Sequence, residues 1–236
     1  MRILYVFPHP DDESFGPARA VSAQVRAGHD VFLLTLTKGG ATRKRHKFGY
    51  TIERMGEVRH REMREVARVL GLSDLTVLDL PDSGLKELDP RTIEAAVGDH
   101  IERVRPKVVV SYPVHGISGF HDHLVTHAVV KRVYVQLRDR GAEYLKRLAF
   151  FTLTEDQAER ASGQHRLSGS APEEIDCVVS VDEEDMEAFR RALDCYATYR
   201  ETIERTGVKE TLDRRVAFEF FQEELDPPLT DLCAGL

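Results

Sequence analysis

Ile3-Leu4-Tyr5-Val6-Phe7-Pro8-His9-Pro10-Asp11-Asp12-Glu13 is the stretch whose reading decides the fold. Its first five residues are apolar and β-favouring with no polar alternation, the pattern of a strand buried on both faces. The turn that follows carries three carboxylates in a row, and no glycine appears before Gly16. A dinucleotide-binding protein places GxGxxG here, so that backbone N–H groups can approach pyrophosphate. An acidic turn does the reverse: it repels phosphate and attracts a cation.

The same buried-strand signature recurs at residues 31–36, 75–80, 107–112, 148–153 and 177–182, and residues 216–221 are a further candidate. Helical spacing separates these runs. It covers residues 14–28, closed by Gly28, and 55–70, ended by Gly71. Further helices are expected at 91–104 (before Pro106), 122–139 and 183–200, the last capped by Asp182. Met186, Phe189, Leu193 and Tyr196 lie on one side of that last helix and read as a core stripe. Residues 38–50 read as a long basic loop and 155–174 as a polar loop or flap. Strands alternating with helices at this pitch predict an α/β fold: a Rossmann-like, mostly parallel sheet with helices on both faces. With 236 residues and no linker-like segment, a single domain over residues 1–236 is expected.

Hydrophobic residues make up 42 % of the chain, enough for a sizeable core, and 31 % are charged. A net charge of −7 argues against general nucleic-acid binding. The short run Arg43-Lys44-Arg45-His46-Lys47 reads either as a solvated loop or as a contact for an anionic group. Cys177, Cys195 and Cys233 are odd in number and widely spaced, which suits a reducing compartment better than a disulfide framework. No signal peptide and no membrane span are read, so a cytoplasmic location is expected.

Ligands of open α/β sheets bind beyond the carboxyl ends of the strands. At that edge His9 and Asp12 are suitable zinc ligands, and Asp11 beside them could take a proton from water. The blander reading makes Asp11 and Asp12 caps of the next helix, which leaves His9 and the third acid unexplained. The fourth strand is followed by His115, His121, His123 and His127. Four imidazoles at the same sheet edge as an acidic turn point to a metal. His127 reads as structural.

At these residues the chain resembles the LmbE-like (PIG-L) de-N-acetylases. Pro8-His9-Pro10-Asp11-Asp12-Glu13 is similar to that family's (A/P)HPDDE signature. Gly119-Phe120-His121-Asp122-His123 resembles its Gly-His-Pro-Asp-His signature, and Arg59 and Glu62 resemble its R-x-x-E helix. The resemblance implies a Rossmann-like fold and a Zn2+ cofactor, another divalent metal being an alternative. It implies His9, Asp12 and His123 as metal ligands, Asp11 as general base, and Arg59 and Asp82 as substrate contacts. The implied activity is removal of an acetyl group from an N-acetylglucosamine-type sugar or conjugate, in a chain that can assemble as a homo-oligomer. Two alternatives stand beside it: an amidase of a thiol conjugate, and a metal-binding Rossmann-like protein without deacetylase activity. One departure is clear. Phe120 occupies the place of the signature's first histidine, so His121 is the candidate to take over its catalytic role, with His115 as a second.

Overall fold

In the computed structural model, which describes residues 1–161 and 166–236, seven strands form one sheet. They are β1 (Arg2–Phe7), β2 (Asp30–Thr37), β3 (Asp74–Leu80), β4 (Val108–Ser111), β5 (Arg147–Thr152), β6 (Cys177–Ser180) and β7 (Arg215–Phe220). Their order is β3-β2-β1-β4-β5-β7-β6. The first five are parallel, while β7 runs antiparallel to both β5 and β6. The expected α/β, mostly parallel sheet is therefore present.

The helices among the described residues are α1 (Asp12–Phe15), α2 (Ala18–Arg26), α3 (Ile52–Leu70), α4 (Pro90–Val104), α5 (His121–Asp139), α6 (Glu155–Ala161), α7 (Glu183–Asp194), α8 (Arg200–Thr206) and α9 (Val208–Thr211). They cover both faces of the sheet. In β1, Ile3, Tyr5 and Phe7 point to one core, shared with α2, α3 and α7. Leu4 and Val6 point to the other, shared with α4 and α5. Both sets are essentially fully buried, which is why the opening strand has no polar alternation. Each such side chain contributes about 1.5–3 kcal/mol of burial free energy.

Three helical expectations are corrected. The helix expected at 14–28 is two helices, because Gly16-Pro17 interrupts it. Pro17 has no N–H to donate, and a Cβ on Gly16 would sit 2.8 Å from the Phe151 ring. The helix expected at 183–200 stops at Asp194; a tight 3₁₀ turn at Ala197–Tyr199 and then α8 replace its end. Its start is as expected, with Asp182 accepting hydrogen bonds from the backbone N–H groups of Glu184 and Asp185. The polar stretch 155–174 opens with α6, and its residues 162–165 lie outside the described residues. The loop 38–50 contains a 3₁₀ turn, Arg43–Phe48, capped by Thr42. Among the described residues no helix is long and apolar enough to cross a membrane, and all three cysteines are free.

Candidate metal centre

Strands β1 and β4 are neighbours at the centre of the sheet, and the chain leaves them in opposite directions. After β1 it passes to α2 on one face; after β4 it passes to α5 on the other. This divergence opens a crevice at the carboxyl edge, the usual ligand position of an open α/β sheet. His9 and Asp12 come from the β1 turn, and His123 comes from the first turn of α5. Their ligand atoms all lie within 4.8 Å of one another, a group that could hold a metal ion.

Each imidazole is held by a partner at its far nitrogen. His123 Nδ1 lies 2.9 Å from the Gly116 carbonyl, so it carries the proton and donates there. That leaves the lone pair of Nε2 facing Asp12 Oδ1 at 3.4 Å. The ring stacks on Tyr112 with centroids 4.2 Å apart. The approach requires Gly116, since a Cβ there would come 2.9 Å from the Cβ of His123. His9 Nε2 lies 3.1 Å from Asp122 Oδ2, leaving Nδ1 toward Asp12 Oδ2 at 3.6 Å. An imidazole fixed in this way by a carboxylate or a carbonyl is how proteins orient metal-binding histidines. The donor set, two imidazoles and a carboxylate, suits a divalent ion of the zinc type. His9 also belongs to a second acidic grouping with Asp82 and Asp122.

Asp12 is buried. Burial alone would raise its pKa, but the two imidazoles that face it, His123 and His9, outweigh that and hold its carboxyl well below the usual range. Asp11 behaves differently: burial pushes its carboxyl up to about 7, although the Arg59 guanidinium opposes the shift. Arg59 is itself enclosed. Its Nη2 donates to Asp11 Oδ2 at 2.7 Å and to the Pro10 carbonyl at 2.6 Å, and its Nη1 donates to the Gly39 carbonyl at 2.9 Å. Gly39 has a φ of +64°, and a Cβ there would sit 2.1 Å from Arg59 Nη1, so only glycine fits.

The other expected residues fall as follows. Asp82 lies at the rim, where one oxygen accepts the Ala41 N–H at 2.6 Å and the other faces His9 Nε2 at 3.4 Å. His121 is exposed at the start of α5, outside the group of donor atoms, and the edge of the Phe120 ring meets His123. His115 is turned away: its Nδ1 accepts the Ile117 N–H and its Nε2 faces Ser170. His127 donates from Nδ1 to the Tyr112 carbonyl and packs on Phe150, a structural role.

Sequence reading misses several participants. Asp122 is 2 % exposed and also accepts the backbone N–H groups of Ser83 and Leu85, which ties the loop after β3 to the site. Its only signal is a place between two histidines. Tyr196, Thr198 and Tyr199 reach the site from beyond α7. Tyr196 reads from the sequence as part of the core stripe, and it is indeed fully buried, but its hydroxyl bonds Asp11 and Glu13.

The family model described as "PIG-L: GlcNAc-PI de-N-acetylase" matches residues 4–134. The chain is 32 % identical to a 1D-myo-inositol 2-acetamido-2-deoxy-alpha-D-glucopyranoside deacetylase of Kineococcus radiotolerans, over 60 % of this chain and 46 % of that protein. It is 31 % identical to a mycothiol S-conjugate amidase of Streptomyces coelicolor, over 55 % of this chain and 50 % of that one. The chain thus spans about half the length of these curated relatives. Among solved structures, the conserved protein TT1542 from Thermus thermophilus superposes with a TM-score of 0.70 at 20 % identity, covering 94 % of this chain and 95 % of that one. That likeness concerns the fold. The family match takes in the acidic turn, the Arg59 helix and the His123 segment together, and on it the chain belongs to the PIG-L family of GlcNAc-PI de-N-acetylase-like proteins.

Proposed function

We propose that this protein is a zinc-dependent hydrolase that removes an acetyl group from the amide nitrogen of an N-acetylglucosamine-type conjugate. The observation that carries the proposal is the grouping of His9, Asp12 and His123, with both imidazoles oriented from behind and a partly buried carboxyl, Asp11, next in the chain to Asp12. A divalent ion in that grouping would supply Lewis acidity toward a water and an amide carbonyl.

The chain's own residues do the rest. Asp11 accepts the proton of the attacking water, and Arg59 keeps that carboxylate aimed and its charge balanced. Arg59 acts on Asp11 and not on substrate, being buried against two backbone carbonyls and that carboxylate. Asp122 holds the His9 ring, and Asp82 fixes the loop after β2 at the rim. His121, exposed at the start of α5, stands in for the signature histidine that Phe120 replaces and stabilises the charge that develops on the carbonyl oxygen.

The decisive experiment measures metal content and acetate release together on protein reconstituted with zinc. About one zinc per chain, lost in His123→Ala, with acetate released from an N-acetylglucosamine glycoside, supports the proposal. A wild-type protein that takes up no divalent ion overturns it. Cleavage of a thiol-conjugate amide is a second reading, favoured by the likeness to the amidase; release of a carboxylate-bearing thiol fragment in place of acetate selects it.

A further inference from the structure

The family match ends at residue 134, yet the turn that carries Asp11 is bonded from a segment about 60 residues further on. Asp11 sits at φ 83° and ψ −21°, the left-handed region that a non-glycine residue occupies only when its surroundings impose it. Its carbonyl accepts the N–H groups of Ser14 and Phe15, the first bonds of α1. Its own N–H points the other way and donates to the Tyr196 hydroxyl at 2.8 Å. That hydroxyl in turn donates to Glu13 Oε1 at 2.7 Å. One oxygen therefore spans the turn, bonding the residues on either side of Asp12.

The rest of the segment secures this bridge. Thr198 donates to Glu62 through both its N–H and its hydroxyl, at 2.8 and 2.7 Å. The Tyr199 ring covers the Arg59 guanidinium at 4.5 Å, and its hydroxyl bonds Thr42. Tyr196 grips the backbone of Asp11, while Tyr199 covers the cation that grips its carboxylate. Glu13 is 2 % exposed, and among the described residues its Oε2 has no hydrogen-bond partner. An uncompensated oxygen of this kind is retained where the same carboxyl serves another purpose, and here the other oxygen anchors Tyr196.

We propose that Tyr196 is a positioning residue for Asp11: its hydroxyl locks the left-handed turn that aims the Asp11 carboxyl into the metal crevice. The inference rests on the reading of Asp11 as the base. Tyr196→Phe removes one oxygen and keeps the ring in the core. Tyr5→Phe is the control, because it also strips a buried hydroxyl from its partner (Gln24) but does so inside β1, away from the site.

The measurements are zinc content, kcat and KM for acetate release from an N-acetylglucosamine glycoside, and hydrogen exchange of the Asp11 amide. Tyr196→Phe is expected to keep its zinc and its KM, to lose about 10²-fold in kcat, the cost of a misplaced catalytic group, and to exchange the Asp11 amide about tenfold faster or more. Tyr5→Phe should change none of these. Unchanged kcat in Tyr196→Phe, or an equal loss in Tyr5→Phe, overturns the proposal. If Tyr196→Phe does not fold, Thr198→Val serves instead; it frees the segment from Glu62 and should give a smaller loss of the same kind. If the wild type takes up zinc but releases no acetate, the deacetylase reading falls by itself. The amide exchange then decides alone whether Tyr196 holds the turn, and an unchanged rate rejects it.

Discussion

Asp11 and Asp12 are adjacent carboxylates in one turn, and their surroundings shift their proton affinities in opposite directions. Asp12 faces two imidazoles and stays ionised, while Asp11 is enclosed and its proton affinity rises toward neutrality. Asp11→Asn should therefore retain about one zinc per chain and lower kcat by about 10²–10⁴-fold, as measured by metal analysis beside acetate release. His121→Ala tests the replacement histidine: metal content should be unchanged and kcat about tenfold or more lower, whereas full activity would assign its role elsewhere. His9, Asp12 and a histidine cluster at 115–127 were legible as metal-ligand candidates because the sheet-edge rule acts on residue types that rarely cluster by accident, and the family resemblance singled out His123 within that cluster. Asp122 and Tyr196 were not legible. Their roles depend on which backbone groups lie within 3 Å, and no pattern in the chain records that.

The helices show where periodic patterns carry information and where they stop. The long helix α3 presents Arg59 and Glu62 on one side, three residues apart, so one face braces Asp11 and the other end of the same face braces Thr198. Its C-terminal glycine, Gly71, adopts the expected left-handed geometry. The break at Gly16-Pro17 was legible in principle, since proline restricts the residue before it, but apolar spacing on both sides masked it. The 3₁₀ turn after α7 was not, because the apolar stripe runs on unbroken to Tyr196 while the backbone changes pitch. One element also carries a pH dependence. His100 on α4 is buried and accepts a hydrogen bond from Arg103; burial, and then the Arg103 charge, hold its pKa at about 4. The unfolded chain takes up this proton near pH 6.5 and the folded chain refuses it, so stability falls as pH drops between those values. His100→Asn should flatten that slope, with wild type losing about 2 kcal/mol more than the variant between pH 7 and 5 in urea titrations.

At the scale of the molecule, one sheet gathers strands from both ends of the chain, and the strand order places β1 against β4. The mostly parallel sheet followed from alternating strands and helices; the order of its strands did not. The antiparallel insertion of β7 between β5 and β6 did not, because charged and weakly patterned flanks gave no pairing partner for residues 216–221. A ligand that binds only the folded chain stabilises it by about 2.7 kcal/mol at one hundred times its dissociation constant. For a domain of this size that is about 5–10 °C in Tm. Saturating zinc should produce such a rise in a melting scan, and His123→Ala should abolish it. The pairing of β1 with β4 has one more consequence. His9 and His123 lie 114 positions apart, so a chain still emerging from the ribosome holds two of the three proposed ligands until α5 has been made and docked. On the proposed ligand set, the complete site forms only late in maturation, once the chain has a shape that can select its ion.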